Sequence, residues 1–119
     1  MTEFQTERQI ATAIIGTTTS TLLGPVPPQM KVNIYSLRYA NPTGGTVVAY
    51  LAQAQILPGY TNESATLLDG VAVPPGSTEY NDNSDSVITN VSPGNSLIAY
   101  TTSGSLFVRV TYEYRYGRN

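Results

Sequence analysis

Leu106-Phe107-Val108-Arg109-Val110-Thr111-Tyr112-Glu113-Tyr114-Arg115-Tyr116 alternates without interruption. Leu106, Val108, Val110, Tyr112, Tyr114 and Tyr116 hold one parity, and Phe107, Arg109, Thr111, Glu113 and Arg115 hold the other. Side chains of a strand point to opposite faces with a period of two, so the stretch reads as one long β-strand with a core face and a wet face. A helix would scatter these residues around its whole circumference, because its period is 3.6.

The same reading carries back along the chain. Residues 30 to 40 alternate too, but the apolar set passes from Met30, Val32 and Ile34 to Tyr35, Leu37 and Tyr39, a change of phase near Tyr35 and Ser36. A β-bulge, or a strand crossing between sheets, produces such a change. Thr46 to Gln53 is apolar on both faces and reads as a central strand whose outer face a neighbour covers, another subunit being one candidate. Further strands are expected at Gln9 to Ile15, Thr19 to Leu23, Ala65 to Leu68, Ser77 to Tyr80, Ser86 to Thr89 and Leu97 to Thr101.

Between these segments lie Asn41-Pro42-Thr43-Gly44-Gly45, Pro58-Gly59, Pro74-Pro75-Gly76 and Pro93-Gly94, all turn-forming. Pro58, Pro75 and Pro93 recur at intervals of 17 and 18 residues, room for two short strands each. The expectation is an all-β antiparallel sandwich or jelly roll of about eight strands. Met1 to Gln9 is read as a short N-terminal arm, and residues 10 to 119 as a single domain.

Composition agrees. A chain of 119 residues is long enough for one core and too short for two. Charged residues make up 12%, about half the usual share, and hydrophobic residues 40%, which is not the balance of a disordered chain. The net charge is −2 and the six basic residues are scattered, so no basic stripe exists for a nucleic-acid backbone. The first nine residues lack the apolar stretch of a secretory signal, and no run approaches membrane-spanning length. The Met1 start reads as a natural one.

His and Cys are both absent, which removes the commonest general base, the thiol nucleophile and the two commonest transition-metal ligands. The eight carboxylates show no spacing that argues for a facing catalytic pair. No enzyme and no cofactor are expected. Glu79-Tyr80-Asn81-Asp82-Asn83-Ser84-Asp85 gathers hard oxygen ligands of the kind Ca²⁺ takes, with Asp82 and Asp85 as its centre, but lacks the glycine and terminal glutamate of an EF-hand loop; an Asx-rich turn at a hairpin tip is the plainer reading. Asn62-Glu63-Ser64 and Asn90-Val91-Ser92 match the glycosylation triplet and are set aside for want of a secretion signal.

Nine tyrosines remain, enough for a sugar-stacking platform or an adhesive interface, although several must serve the core. Tyr112, Tyr114 and Tyr116 either pack inside or line a contact, and Tyr60, beside Pro58-Gly59, is a candidate for exposure. The candidate contact residues are therefore Met1, Thr2, Glu3 and Phe4 of the arm together with Tyr60, Tyr112, Tyr114 and Tyr116. Tyr80 and Tyr100 join Tyr60 as candidates if sugars are bound.

The order of features resembles that of small β-sandwich virion proteins of tailed bacteriophages: capsid decoration proteins, head fibres and tail-fibre modules. It is carried by Leu22-Leu23-Gly24-Pro25-Val26-Pro27-Pro28, Tyr39-Ala40-Asn41-Pro42-Thr43-Gly44-Gly45-Thr46-Val47, Leu68-Asp69-Gly70-Val71-Ala72-Val73-Pro74-Pro75-Gly76-Ser77-Thr78, Val91-Ser92-Pro93-Gly94-Asn95-Ser96-Leu97 and Ser103-Gly104-Ser105-Leu106-Phe107-Val108. The resemblance implies a structural protein of the virion, assembled in the host cytoplasm and working by contact. Its implied partners are itself, as a homotrimer or other symmetric oligomer, and the major capsid protein or another virion protein, with no nucleic acid and no membrane. The alternative it leaves open is a receptor-binding or carbohydrate-binding module of a tail fibre.

Overall fold

A computed structural model describes residues 8–55, 64–82 and 87–116. Among them the chain forms nine strands and no helix: β1 (Gln9–Ile15), β2 (Ser20–Leu23), β3 (Met30–Ala40), β4 (Val47–Gln55), β5 (Ser64–Val73), β6 (Thr78–Asp82), β7 (Thr89–Val91), β8 (Ser96–Thr101) and β9 (Leu106–Tyr116). All pairings are antiparallel. The first sheet runs β1-β9-β3-β6, with β7 beside β6 along the same edge of β3; the second runs β2-β8-β4-β5.

Four of these pairs, β1 with β9, β2 with β8, β3 with β6 and β4 with β5, are the rungs of one long folded hairpin. Rolling it up brings β9 against β3 and β8 against β4, which is the jelly-roll arrangement of two Greek keys. The short β7 brings the number of strands among the described residues to nine, against about eight expected. It lies at Thr89–Val91, later than the strand expected at Ser86 to Thr89, while the strand expected at Ala65 to Leu68 extends to Val73. Gln9 pairs with Tyr112, so β1 opens at the residue expected for the first strand.

The phase change in β3 is a bulge. Ile34 faces Tyr112 and Ser36 faces Thr111, which leaves Tyr35 as an extra residue. Met30, Val32 and Ile34 before the bulge and Leu37 and Tyr39 after it all join one core, with Leu106, Val108, Val110 and Tyr112 of β9 beside them and Val47, Ala49, Leu51, Leu97 and Ala99 among their neighbours from the second sheet. Two more register shifts, at Leu22 against β8 and at Leu68 against β4, interrupt the second sheet.

Two of the proline turns share one chemistry. Ser77 N–H donates to Pro74 O with Gly76 at φ 70°, and Asn95 N–H donates to Ser92 O with Gly94 at φ 84°. Proline at the second position and a positive φ at the third define a type II turn. Opposite the first of them, buried Asn41 uses its whole side chain: Nδ2 donates to Gly45 O and Val73 O, and Oδ1 accepts from the N–H and hydroxyl of Thr43. One amide thus ties the β3–β4 loop to the end of β5.

Candidate interaction surface

A sandwich has two outer faces, and here they differ. On the second sheet, β4 turns Val48, Tyr50, Ala52 and Ala54 outward, with Ile98 and Tyr100 of β8 opposite them and Leu67, Gly70 and Ala72 of β5 on the other side. No charge lies among these residues. Ala52, Ala54 and Ile98 are nonetheless buried, and the Tyr50 and Tyr100 rings stack with centroids 5.5 Å apart. Tyr50 also lies over Gly70, where an added Cβ would stand 3.1 Å from its ring.

On the first sheet the register places Arg38 of β3 directly opposite Arg109 of β9. Like charges facing each other across strands are unfavourable, and both side chains are exposed. Neither forms an ion pair with a carboxylate among the described residues. The Arg38 guanidinium lies 4.7 Å from the ring centroid of Tyr80, itself 59% exposed. Beside the arginines, Ile14 faces Phe107 across β1–β9 and Ala40 faces it from β3. Ile14 and Phe107 are 65% and 49% exposed. With Thr12, these residues line an open groove of about 480 Å³ that has an apolar floor and two guanidinium groups on its rim.

Glu113, expected on the wet face, does point outward but is buried, because the bulge swings Tyr35 over it and the Tyr35 hydroxyl donates to its Oε1 at 2.7 Å. Arg115 lies 3.6 Å from the same oxygen, and Arg8 covers the Tyr35 ring at 3.9 Å. Inside the sandwich, the Tyr39 hydroxyl donates to Asp69 at 2.8 Å. Burial, and then the adjacent Asp69 charge, hold this phenol far above its ordinary range.

The tyrosines expected to line a contact are divided by the fold. Tyr112 is taken up by the core and donates to the Gln9 side chain, Tyr114 packs at the core's margin edge-on to Tyr112, and Tyr116 is exposed. Met1, Thr2, Glu3, Phe4 and Tyr60 lie outside the described residues, as do Asn83, Ser84 and Asp85 of the acidic segment. Glu79 to Asp82 belong to β6 and not to a hairpin tip, and no group of three or more metal-ligating side chains occurs among the described residues. Tyr100 is half-buried against Tyr50. The groove itself was hidden from the sequence because Arg38 and Arg109 become neighbours only through the β3–β9 register. The available sign was Ile10 and Ile14, two large apolar residues on the wrong parity of β1.

No protein-family model, no curated protein and no solved structure matches the chain.

Proposed function

We propose that the chain is a non-enzymatic structural protein of a tailed-phage virion, a capsid decoration protein that works by protein–protein contact. The observation that carries this reading is the groove of Arg38, Arg109, Ile14 and Phe107: two guanidinium groups with no carboxylate partner among the described residues, above an exposed apolar floor. A surface of this kind suits an acidic and apolar patch on another protein, where Arg and aromatic anchors contribute most of the binding energy. The jelly-roll architecture supports it by analogy, since capsid and lectin domains both use that architecture. Repetition over a symmetric shell would multiply individually weak contacts.

The lectin side of that analogy supplies the second reading, a carbohydrate-binding tail-fibre module, favoured by the exposed Tyr80 ring. Co-sedimentation with decoration-stripped phage particles separates the two. The decoration reading expects saturable binding to the shell that Arg109→Glu abolishes. Absence of shell binding, with retention on host-surface glycans that Tyr80→Ala eliminates, overturns it in favour of the second.

A further inference from the structure

The two sheets have four edges, and among the described residues three carry features that discourage pairing with another chain. β2 is four residues long and bulged at Leu22. β5 is bulged at Leu68 beside Asp69, and the far edge of β3 is occupied by the short β6 and β7. Short strands, bulges and charges are the usual protections of a sheet edge. β1 has none of them. Gln9-Ile10-Ala11-Thr12-Ala13-Ile14-Ile15 pairs with β9 in unbroken register, contains no charge, no proline and no glycine, and leaves Ile10 and Ile14 54% and 65% exposed. Along the side that no described strand pairs, alternate residues direct their N–H and C=O groups away from β9.

The sequence of this strand is a palindrome. Ile10-Ala11-Thr12-Ala13-Ile14 reads the same in both directions about Thr12. Two copies of an antiparallel strand related by a two-fold axis at Thr12 place Ile10 of each copy opposite Ile14 of the other, Ala11 opposite Ala13, and Thr12 opposite itself. Both Ile pairs lie on the outer face and both Ala pairs on the inner face, so the amphipathic parity of the two sheets is continuous across the axis. An isologous contact requires such self-complementarity.

We infer that β1 is a self-recognition edge: two copies of the chain pair through β1 about Thr12, joining their first sheets into one continuous sheet. A ladder of this length buries less than a standard interface, so the dimer is concentration-dependent. The join continues the groove, whose wall includes Thr12, Ala13 and Ile14, toward the second copy. The inference rests on the strand edge alone and does not depend on the virion reading.

Light scattering on the full chain over roughly 1 µM to 1 mM should show the mass rising from 12.8 kDa toward twice that value. Thr12→Lys, which sets two like charges against each other on the axis, should weaken the dimer by roughly fivefold or more. Since the natural chain has no cysteine, Thr12→Cys supplies an independent measurement. Directly opposed residues of an antiparallel pair have Cα atoms about 4.5 to 5.5 Å apart, within disulfide reach, so oxidation should give a covalent dimer. Thr66→Cys, on the edge strand β5, should not. A monomeric mass throughout, a mass of three copies, a dimer indifferent to Thr12→Lys, or equal cross-linking at Thr12 and Thr66 would each overturn the inference.

Discussion

Asn41 shows how much one buried amide holds in this fold. Its side chain makes four hydrogen bonds, and its own backbone bonds both Ser77 and Gly76. Asn41→Ala removes all four bonds; Gly45 O keeps the Thr43 hydroxyl, but the buried Val73 O loses this donor, and an orphaned buried group costs about 1–3 kcal/mol while each further hydrogen bond lost costs about 0.5–1.5 kcal/mol. Chemical denaturation should therefore show a loss of about 2–4 kcal/mol with the fold retained. Tyr39 gives a pH dependence of definite sign. Below about pH 10 the phenol is protonated in both states; above it, the unfolded chain releases the proton while burial and Asp69 keep it in place in the native state. Stability thus falls as pH rises past about 10, by about 1.4 kcal/mol per pH unit from this group. Tyr39→Phe should remove that component of the slope, measured by unfolding across alkaline pH, while lowering stability near neutrality through the loss of the Asp69 hydrogen bond.

At the scale of the strand, the bulge at Tyr35 governs both faces of β3. Without the extra residue, everything beyond it would shift by one position, and Leu37 and Tyr39 would exchange faces with Arg38. Deleting Tyr35 should accordingly abolish cooperative thermal unfolding, as followed by circular dichroism, whereas Tyr35→Ala should fold and lose mainly the cover over Glu113. This element was legible in the sequence, because a change of hydrophobic phase within one long strand has few physical causes. So were β9 and the turns at Pro75-Gly76 and Pro93-Gly94, while Pro58-Gly59 lies outside the described residues. The burial of Glu113 was not legible, since Tyr35 reaches it from a strand 78 positions away in sequence. The inward parity of Tyr112 was legible, but where along Tyr112, Tyr114 and Tyr116 burial ends was not, because alternation shows that a residue faces inward without showing how far along the strand the opposing sheet extends.

At the scale of the molecule, the facing Arg38 and Arg109 pit stability against recognition. Arg109→Glu converts a repulsive cross-strand pair into an attractive one, and thermal unfolding should show a gain of about 0.5 kcal/mol. The same substitution should remove binding at the groove, so a variant more stable than the natural chain and less able to bind would indicate that the arginines are maintained for a partner. Topology adds a consequence in time. β1 leaves the ribosome about a hundred residues ahead of its pairing partner β9. At ordinary synthesis rates of about 5–20 residues per second, the unprotected Ile10–Ile14 stretch must wait roughly 5 to 20 s for the strand that shelters it. During that interval nascent chains on one polysome display the same sticky palindrome to one another, so the yield of soluble protein should depend on how quickly the message is translated and on the chaperones that meet the chain as it emerges.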